Sequence, residues 1–383
     1  MKTIYFFMRI GFYDSELKSI SIGGVQTYIY DLAKLSESMG YKPVVYEMNR
    51  IGKTDNYLFE GIEIRQISNK SKAYFQKCFD YVYKTSNKPG DIFIISTDQL
   101  TIKAHYSNVI AIKAHYSNVI AINHGIAFDE PLVGIKGRLI KLLKCIRNVQ
   151  RGLLVPNVVC VDYNYYNWFR TLAAINDESK FTVIPNYSRG FISRRELDVK
   201  LELSPRKILF ARRFVEHRGT KIFASAINRI LTEYPNVEVT FAGTGPLESY
   251  LKEMFRGLER VHFTAYRMSE SIKFHQRFDI AVIPTIFSEG TSLSLCEAMS
   301  AGCFCIATRV GGLTNILVDN YNGKLIEPTI EGIYQSVKEA LMMDKEEYWR
   351  ICRSGYETAL YGFSKSLWQS KWKQFILRVS NNK

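Results

Sequence analysis

The 383-residue sequence has no apolar run approaching the ~20 residues needed to span a bilayer. Its first residues, Met1 to Arg9 (MKTIYFFMR), lack the small-residue cleavage site of a signal peptide and read as a first strand. The seven cysteines (Cys78, Cys145, Cys160, Cys296, Cys303, Cys305, Cys352) are odd in number and scattered, with no Cys-x-x-Cys pair. That pattern argues for a reducing compartment. No G-x-G-x-x-G follows a strand and no Walker A sequence occurs, so dinucleotide and P-loop readings lose support. A cytoplasmic protein not integral to a membrane is expected.

What the chain has is length, aromatics and positive charge. The length suits two domains, each able to bury a core. Hydrophobic content of 46% with 23% charged residues excludes a disordered chain. Lys+Arg 51 against Asp+Glu 37 gives 51 − 37 = +14. Residues 1–190 carry 24 basic and 16 acidic groups, so the excess is not a basic tail. It concentrates in two places. Six cations (Lys136, Arg138, Lys141, Lys144, Arg147, Arg151) lie between Pro131 and Val161 with no anion, and Lys365, Lys371, Lys373, Arg378 and Lys383 follow Glu357, also with none.

At helical spacing Ile135, Leu139, Leu142, Leu143, Ile146 and Val149 share one arc of about 120°, with the six cations over the rest of the wheel. Such a helix either lies on an anionic membrane surface or turns its apolar stripe to the core. Nucleic acid is not an expected partner: no aromatics interleave the cations and no nucleic-acid fold signature is present.

Ile102–Ala111 recurs unchanged as Ile112–Ala121. A single ten-residue copy is not a solenoid; it reads as a recent duplication or a sequence artefact. The second copy runs directly into Ile122-Asn123-His124-Gly125, so the first is taken as the insertion, lengthening a surface connection. The repeated Lys103/Lys113 and His105/His115 owe their spacing to copying and are not read as a ligand cluster.

Elsewhere short apolar runs alternate with helical stretches, as in α/β chains with parallel sheets. Strands are expected at Ile4–Arg9, Lys42–Glu47, Asp91–Ser96, Val119–Asn123, Val158–Asp162 and Thr182–Pro185. After the polar stretch Ser188–Ser204 the series restarts at Lys207–Ala211, Val237–Ala242, Val261–Thr264, Ile280–Pro284, Phe304–Thr308 and Lys324–Glu327. Helices are expected at Thr27–Gly40, Gly219–Glu233, Leu247–Phe255 and Ser292–Ala301. This describes two doubly wound α/β domains, with ligands expected beyond the carboxyl ends of the strands and in a cleft between the domains.

Four stretches carry candidate chemistry. Gly23-Gly24 precedes a helix, where backbone can approach an anion closely. Arg213 and Arg218, between a strand and a helix start, could clamp a diphosphate. Gly243-Thr244-Gly245-Pro246 is a tight turn, read as structural. Phe287 to Met299 follows an apolar strand, with Glu289 before a helix start and Glu297 inside the helix. The amides of Thr291, Ser292 and Leu293 would be free to receive a phosphate. A carboxylate amid Leu295, Ala298 and Met299 needs a partner, either a ligand or a cation.

In this order, Gly23-Gly24, Arg213…Arg218-Gly219, Gly243-Thr-Gly-Pro246, Glu289-x7-Glu297 and Gly311-Gly312 closely resemble retaining glycosyltransferases of family four. The likeness is strongest over residues 205–330. The resemblance implies a GT-B fold, with an acceptor-binding domain at 1–188 (holding the duplication at 101–121), a nucleotide-sugar domain at 189–360 and a last helix at 361–383 crossing back. It implies that Glu297 holds ribose hydroxyls and Glu289 a donor-sugar hydroxyl. Arg213 and Arg218 would neutralise the diphosphate, Ser292 and Leu293 amides would take its distal phosphate, and Gly23 and Gly24 would let a loop close on it. His124 matches a histidine contacting the transferred sugar, and base contacts are expected near Tyr266-Arg267. Arg218 stands where the family usually has Lys; Cys303 and Cys305 replace Pro-Val and are read as buried packing.

The resemblance further implies transfer from a nucleotide-diphosphate sugar to a lipid-linked or oligosaccharide acceptor in surface-polysaccharide synthesis (O-antigen, capsule or exopolysaccharide), at the inner face of the cytoplasmic membrane. Lys136–Arg151 would then meet the membrane surface, and the apolar face of the last helix (Leu367, Trp368, Trp372, Phe375, Ile376, with Ser364 as its cap) would be core. No cofactor or metal is expected, because the Asp-x-Asp of GT-A transferases is missing; Asp14-x-Glu16 and Asp344-x-Glu346 come nearest. The alternative is a GT-B nucleotide-sugar 2-epimerase.

Overall fold

The computed structural model describes residues 1–8, 11–14, 19–20, 23–48, 56–67, 72–96, 117–126, 129–173 and 180–381. The first repeat copy, the start of the second (with Lys113 and His115) and Glu16 lie outside them. The chain forms two compact units: residues 1–124, 134–184 and 369–383, and residues 125–133 and 185–368.

Unit 1 is a sheet with helices in the connections. Its elements are β1 (Thr3–Met8), α1 (Gly24–Ser38), β2 (Lys42–Met48), β3 (Tyr57–Phe59), β4 (Ile62–Ile67), α2 (Lys72–Ser86), β5 (Ile92–Ile95), β6 (Val119–Asn123), α3 (Gly134–Leu154), β7 (Asn157–Cys160), α4 (Tyr163–Ala173) and β8 (Phe181–Val183). The strand order is β8-β7-β6-β5-β1-β2-β4-β3, parallel except for the β3–β4 hairpin. Strands such as Ile92–Ile95 are apolar throughout because both faces are covered. Phe7 stacks on Tyr46 with ring centroids 5.1 Å apart and meets Phe79 edge-on at 5.0 Å. The end of the second repeat copy supplies Val119–Ala121 of β6, whose Ile120 lies opposite Ile94.

No strand is expected from sequence within residues 48–90, whereas β3 and β4 occupy Tyr57–Ile67. Their turn, Glu60-Gly61, takes φ +46° and +83°, the geometry of a two-residue hairpin turn. Glutamate is not a usual residue for that conformation, so the turn signal is weak.

Unit 2 contains α5 (Arg194–Leu201), β9 (Lys207–Ala211), α6 (Thr220–Glu233), β10 (Glu238–Ala242), α7 (Glu248–Met254), β11 (Val261–Thr264), α8 (Ser271–His275), β12 (Ile280–Ile283), α9 (Leu293–Ser300), β13 (Phe304–Thr308), β14 (Lys324–Ile326), α10 (Ile330–Met342) and α11 (Lys345–Gly362). Its parallel sheet runs β11-β10-β9-β12-β13-β14. Ser193 caps α5: its Oγ accepts from Glu196 N at 3.2 Å while Glu196 Oε2 accepts from Ser193 N at 2.7 Å. Asp344 of Asp344-x-Glu346 caps α11, accepting from Glu347 N at 3.0 Å. The core is aromatic, with Phe210 stacked on Phe223 at 4.9 Å and tilted against Phe241 at 5.8 Å.

The units divide after Ile184 and inside α12 (Lys365–Asn381), after Trp368, rather than at 188 and 360. Tyr187 lies tilted against Trp368 with ring centroids 4.4 Å apart, and Ser188 N donates to Phe363 O at 2.7 Å, which ties 185–188 to unit 2. Beyond the division, Trp372 Nε1 donates to Tyr28 Oη of unit 1 at 2.8 Å. The apolar face of α12 is core: Trp368, Trp372, Phe375 and Ile376 are all buried.

In α3 the apolar arc does not pack inward. Ile135 is 87% exposed and Leu143 58%, with Leu139 and Leu142 also exposed, while the helix rests on Gly137 and Cys145. The side chains of Val149 and Arg151 lie outside the described residues. No helix among the described residues is long and apolar enough to cross a membrane.

Candidate functional site

β12 delivers the chain to Pro284 and Thr285, and the loop that follows leads into α9. Glu289 lies in that loop, three residues before the N-cap Ser292. Its Oε2 accepts from Arg212 Nη2 at 2.5 Å, from Arg218 Nη1 at 2.5 Å and from Thr285 Oγ1 at 2.6 Å. Burial alone would raise its pKa, but the Arg212 and Arg218 charges and the Thr285 bond outweigh that and hold it below the ordinary carboxylate value. The cluster is therefore an ionised carboxylate shared by two guanidinium groups.

The loop is held from three sides. Ser288 takes φ +60°, its N donates to Asp129 Oδ1 at 3.0 Å, and its carbonyl accepts from Arg218 at 3.3 Å. Gly311 and Gly312 lie against the loop backbone: Gly312 N donates to Glu289 O at 3.0 Å. A Cβ on Gly311 (φ +53°) would stand 2.1 Å from Glu289 O, and one on Gly312 2.4 Å from Gly290 C. Only glycine permits that approach.

The α9 start adds donors. Ser292 Oγ accepts from Leu295 N at 3.4 Å, and Ser294 Oγ donates to Ala211 O at 2.9 Å. First-turn amides, including that of Leu293, have no intrahelical acceptor and carry the positive end of the helix dipole. Further along the same helix, on its second turn, Glu297 is buried. Tyr266 lies flat on Phe274, centroids 4.4 Å apart. Its phenol is pushed well above its usual pKa by burial and by Glu297, against a counter-pull from Arg212.

Unit 2 thus brings together Glu289, Arg218, Ser292, Leu293, Glu297 and Tyr266. Arg213 is exposed, and its neighbour Arg212, which the spacing did not single out, makes the ion pair instead. Thr285 and Asp129 were also missed; neither belongs to a motif. Cys303 and Cys305 are buried, Cys303 Sγ donating to Phe278 O at 3.2 Å, with burial raising both thiols. They pack.

Gly23, Gly24 and His124 belong to unit 1. Gly23 precedes α1, with its N donating to Gln26 Oε1 at 3.1 Å, so the helix begins at Gly24 rather than Thr27. His124 follows β6, and the Tyr28 ring of α1 meets it edge-on at 5.2 Å. Its Nε2 is buried without a hydrogen-bond partner.

Burial pushes His124 and, in unit 2, His275 down to about 4, despite hydrogen bonds to Ser96 and Ser271 backbone. Unfolded histidines titrate near 6.5, so between those values the unfolded chain binds more protons. The contribution of these two groups to stability is full above about pH 6.5 and falls as pH drops toward 4. For fully buried His275 the expected loss is roughly 2 kcal/mol by pH 4.5. Urea unfolding from pH 7 to 4.5 checks this: His275→Gln should flatten the slope, and an unchanged slope would contradict it.

Residues 205–342 match the family described as glycosyl transferases group 1. An uncharacterized glycosyltransferase of Methanocaldococcus jannaschii is 29% identical over 125 residues, 32% of each chain, so the likeness spans about a third of that relative. A subunit of the human phosphatidylinositol N-acetylglucosaminyltransferase is 23% identical over 347 residues, 85% of this chain and 67% of that one. Among solved structures, Anabaena HepE in complex with UDP and glucose superposes with a TM-score of 0.69 at 15% identity, covering 98% of this chain and 100% of its own. Such likenesses show the fold, which is GT-B, and the sequence matches support a glycosyltransferase of the group 1 type.

Proposed function

We propose that this group 1 type glycosyltransferase moves a sugar from a nucleotide-diphosphate donor to a lipid-linked or oligosaccharide acceptor, with retention of anomeric configuration. The observation that carries the reading is the Glu289 cluster at the start of α9, inside the segment that resembles group 1 glycosyl transferases. Two guanidinium groups and a helix N-terminus in one place suit a leaving group that departs with negative charge.

In this reading Glu297 accepts hydrogen bonds from the ribose hydroxyls and Tyr266 lies toward the base. Ser292 and Leu293 amides meet the distal phosphate, and Arg218 with an arginine of the 212–213 pair neutralises the diphosphate. Glu289, once donor binds, accepts from a sugar hydroxyl; Gly23 and Gly24 serve the phosphate and His124 the transferred sugar. The glycosidic C–O bond to phosphate breaks as the acceptor oxygen attacks from the same face. A phosphate oxygen takes the acceptor proton, so no protein carboxylate acts as nucleophile. HepE was solved with UDP and glucose, which supports a nucleotide-sugar donor; the human relative's name supports a lipid acceptor. The role in surface-polysaccharide synthesis rests on the sequence motifs.

Turnover is expected to need no metal, since the chain lacks the Asp-x-Asp motif. A thermal-shift screen of nucleotide sugars should find one that raises the unfolding midpoint by several degrees, with transfer persisting in EDTA. Loss in EDTA restored by Mn²⁺ or Mg²⁺ would contradict the metal-free mechanism, and no stabilising nucleotide sugar would contradict the donor reading.

The exposed arc of α3, flanked by Lys136, Arg138, Lys141 and Arg147, suits an anionic lipid surface. Vesicles rich in phosphatidylglycerol should bind the protein, and phosphatidylcholine vesicles should bind it far more weakly. Leu139→Glu with Leu143→Glu should lower binding by at least about tenfold. Binding indifferent to these changes and to salt would contradict the assignment.

A further inference from the structure

Arg212 presents a feature that neither the motif spacing nor the family match accounts for. Its side chain is 7% exposed and its Nη2 rests on Glu289, yet Nη1 is buried with no hydrogen-bond partner. A guanidinium N–H sealed from water without an acceptor is costly, so the arrangement is incomplete without an oxygen from outside the chain.

The place of that oxygen follows from what surrounds the arginine. Ala211, one residue earlier, accepts at its carbonyl from Ser294 in the first turn of α9. Arg212 pairs with Glu289 on one side and acts on the Tyr266 phenol, which also senses Glu297, on the other. If Glu297 takes the ribose and Glu289 the sugar, the group joining ribose to sugar is the diphosphate. The backbone there is fixed: Phe214 N donates to Thr244 O at 2.9 Å, and a Cβ on Gly243 would stand 2.2 Å from Arg212 O. The 243–246 turn thus clamps the strand end that carries Arg212. Arg213 is exposed.

We infer that Arg212, not the motif-matched Arg213, is the partner of Arg218 at the donor diphosphate, its Nη2 fixing Glu289 and its Nη1 donating to a phosphate oxygen. Before donor binds, the two arginines share the Glu289 carboxylate. A phosphate oxygen gives Nη1 its acceptor, and departure of the diphosphate with the nucleotide is stabilised by the same guanidinium. The inference rests on the nucleotide-sugar reading.

The test is calorimetric titration with UDP, GDP and ADP, each paired with its monophosphate, using the base that wild-type protein binds most tightly. Arg212→Ala should weaken the diphosphate by about 10- to 100-fold and the monophosphate by less than about threefold. Arg212→Lys keeps the charge and the Glu289 pair but loses the fork, so it should fall between, and it keeps the test decisive if the alanine variant folds poorly. Arg213→Ala should cost less than about threefold for either ligand. A diphosphate-selective loss in Arg213→Ala with none in the Arg212 variants would overturn the assignment. Equal losses of diphosphate and monophosphate affinity in the Arg212 variants would reduce Arg212 to a structural role. Wild-type protein that binds none of the nucleotides would instead remove the donor reading itself.

Discussion

Glu297→Ala is expected to lower sugar transfer by about 10²- to 10⁴-fold, the effect of losing two hydrogen bonds from ligand hydroxyls to a buried carboxylate. Glu297 lies on the second turn of α9, buried, behind the start of that helix. In the proposed reading its carboxylate accepts hydrogen bonds from the ribose hydroxyls. The loss should appear as a raised donor KM together with a lowered kcat, because ribose contacts far from the reacting carbon still hold that carbon in register. Steady-state kinetics with a matched unfolding curve make the check. Activity within about threefold of wild type would remove Glu297 from the site.

Glu289→Ala should have the second large effect, on both stability and turnover. Removing one member of a buried ion cluster leaves the others uncompensated, at a cost of about 3–5 kcal/mol. Arg212 would be left buried with neither Nη2 nor Nη1 satisfied, while Arg218, a quarter exposed, could turn to water. Urea unfolding should show the loss, and Arg212→Ala added to Glu289→Ala should recover at least about 1 kcal/mol of it. Additive losses in the double variant would mean that the pair is not coupled. Transfer should fall in the single and double variants alike.

Much of the fold was legible because strands of covered parallel sheets are apolar runs bounded by turns. Val119–Asn123, Lys207–Ala211, Val261–Thr264 and Phe304–Thr308 have the bounds read from sequence. The Tyr57–Ile67 hairpin was not legible: its strands alternate polar residues and its turn places a glutamate at positive φ. In unit 2, the placing of Glu289 before α9 and of Arg218 before α6 was readable from spacing. The choice between Arg212 and Arg213 was not, since consecutive residues at a strand end point to opposite faces and spacing carries no information about which is inward. The two readings of α3 also differ only in what covers its apolar arc. Packing decides that, and the arc is exposed.

In the proposed reaction this chain cleaves a nucleotide-diphosphate sugar at the anomeric carbon and keeps its configuration. Proton NMR tests it most directly, by following the anomeric signals as the stabilising nucleotide sugar is incubated with protein and no acceptor. Slow release of nucleoside diphosphate is expected, with the free sugar first appearing as the same anomer as in the donor. Sugar epimerised at C2, release of the opposite anomer, or no turnover with any nucleotide sugar would contradict it.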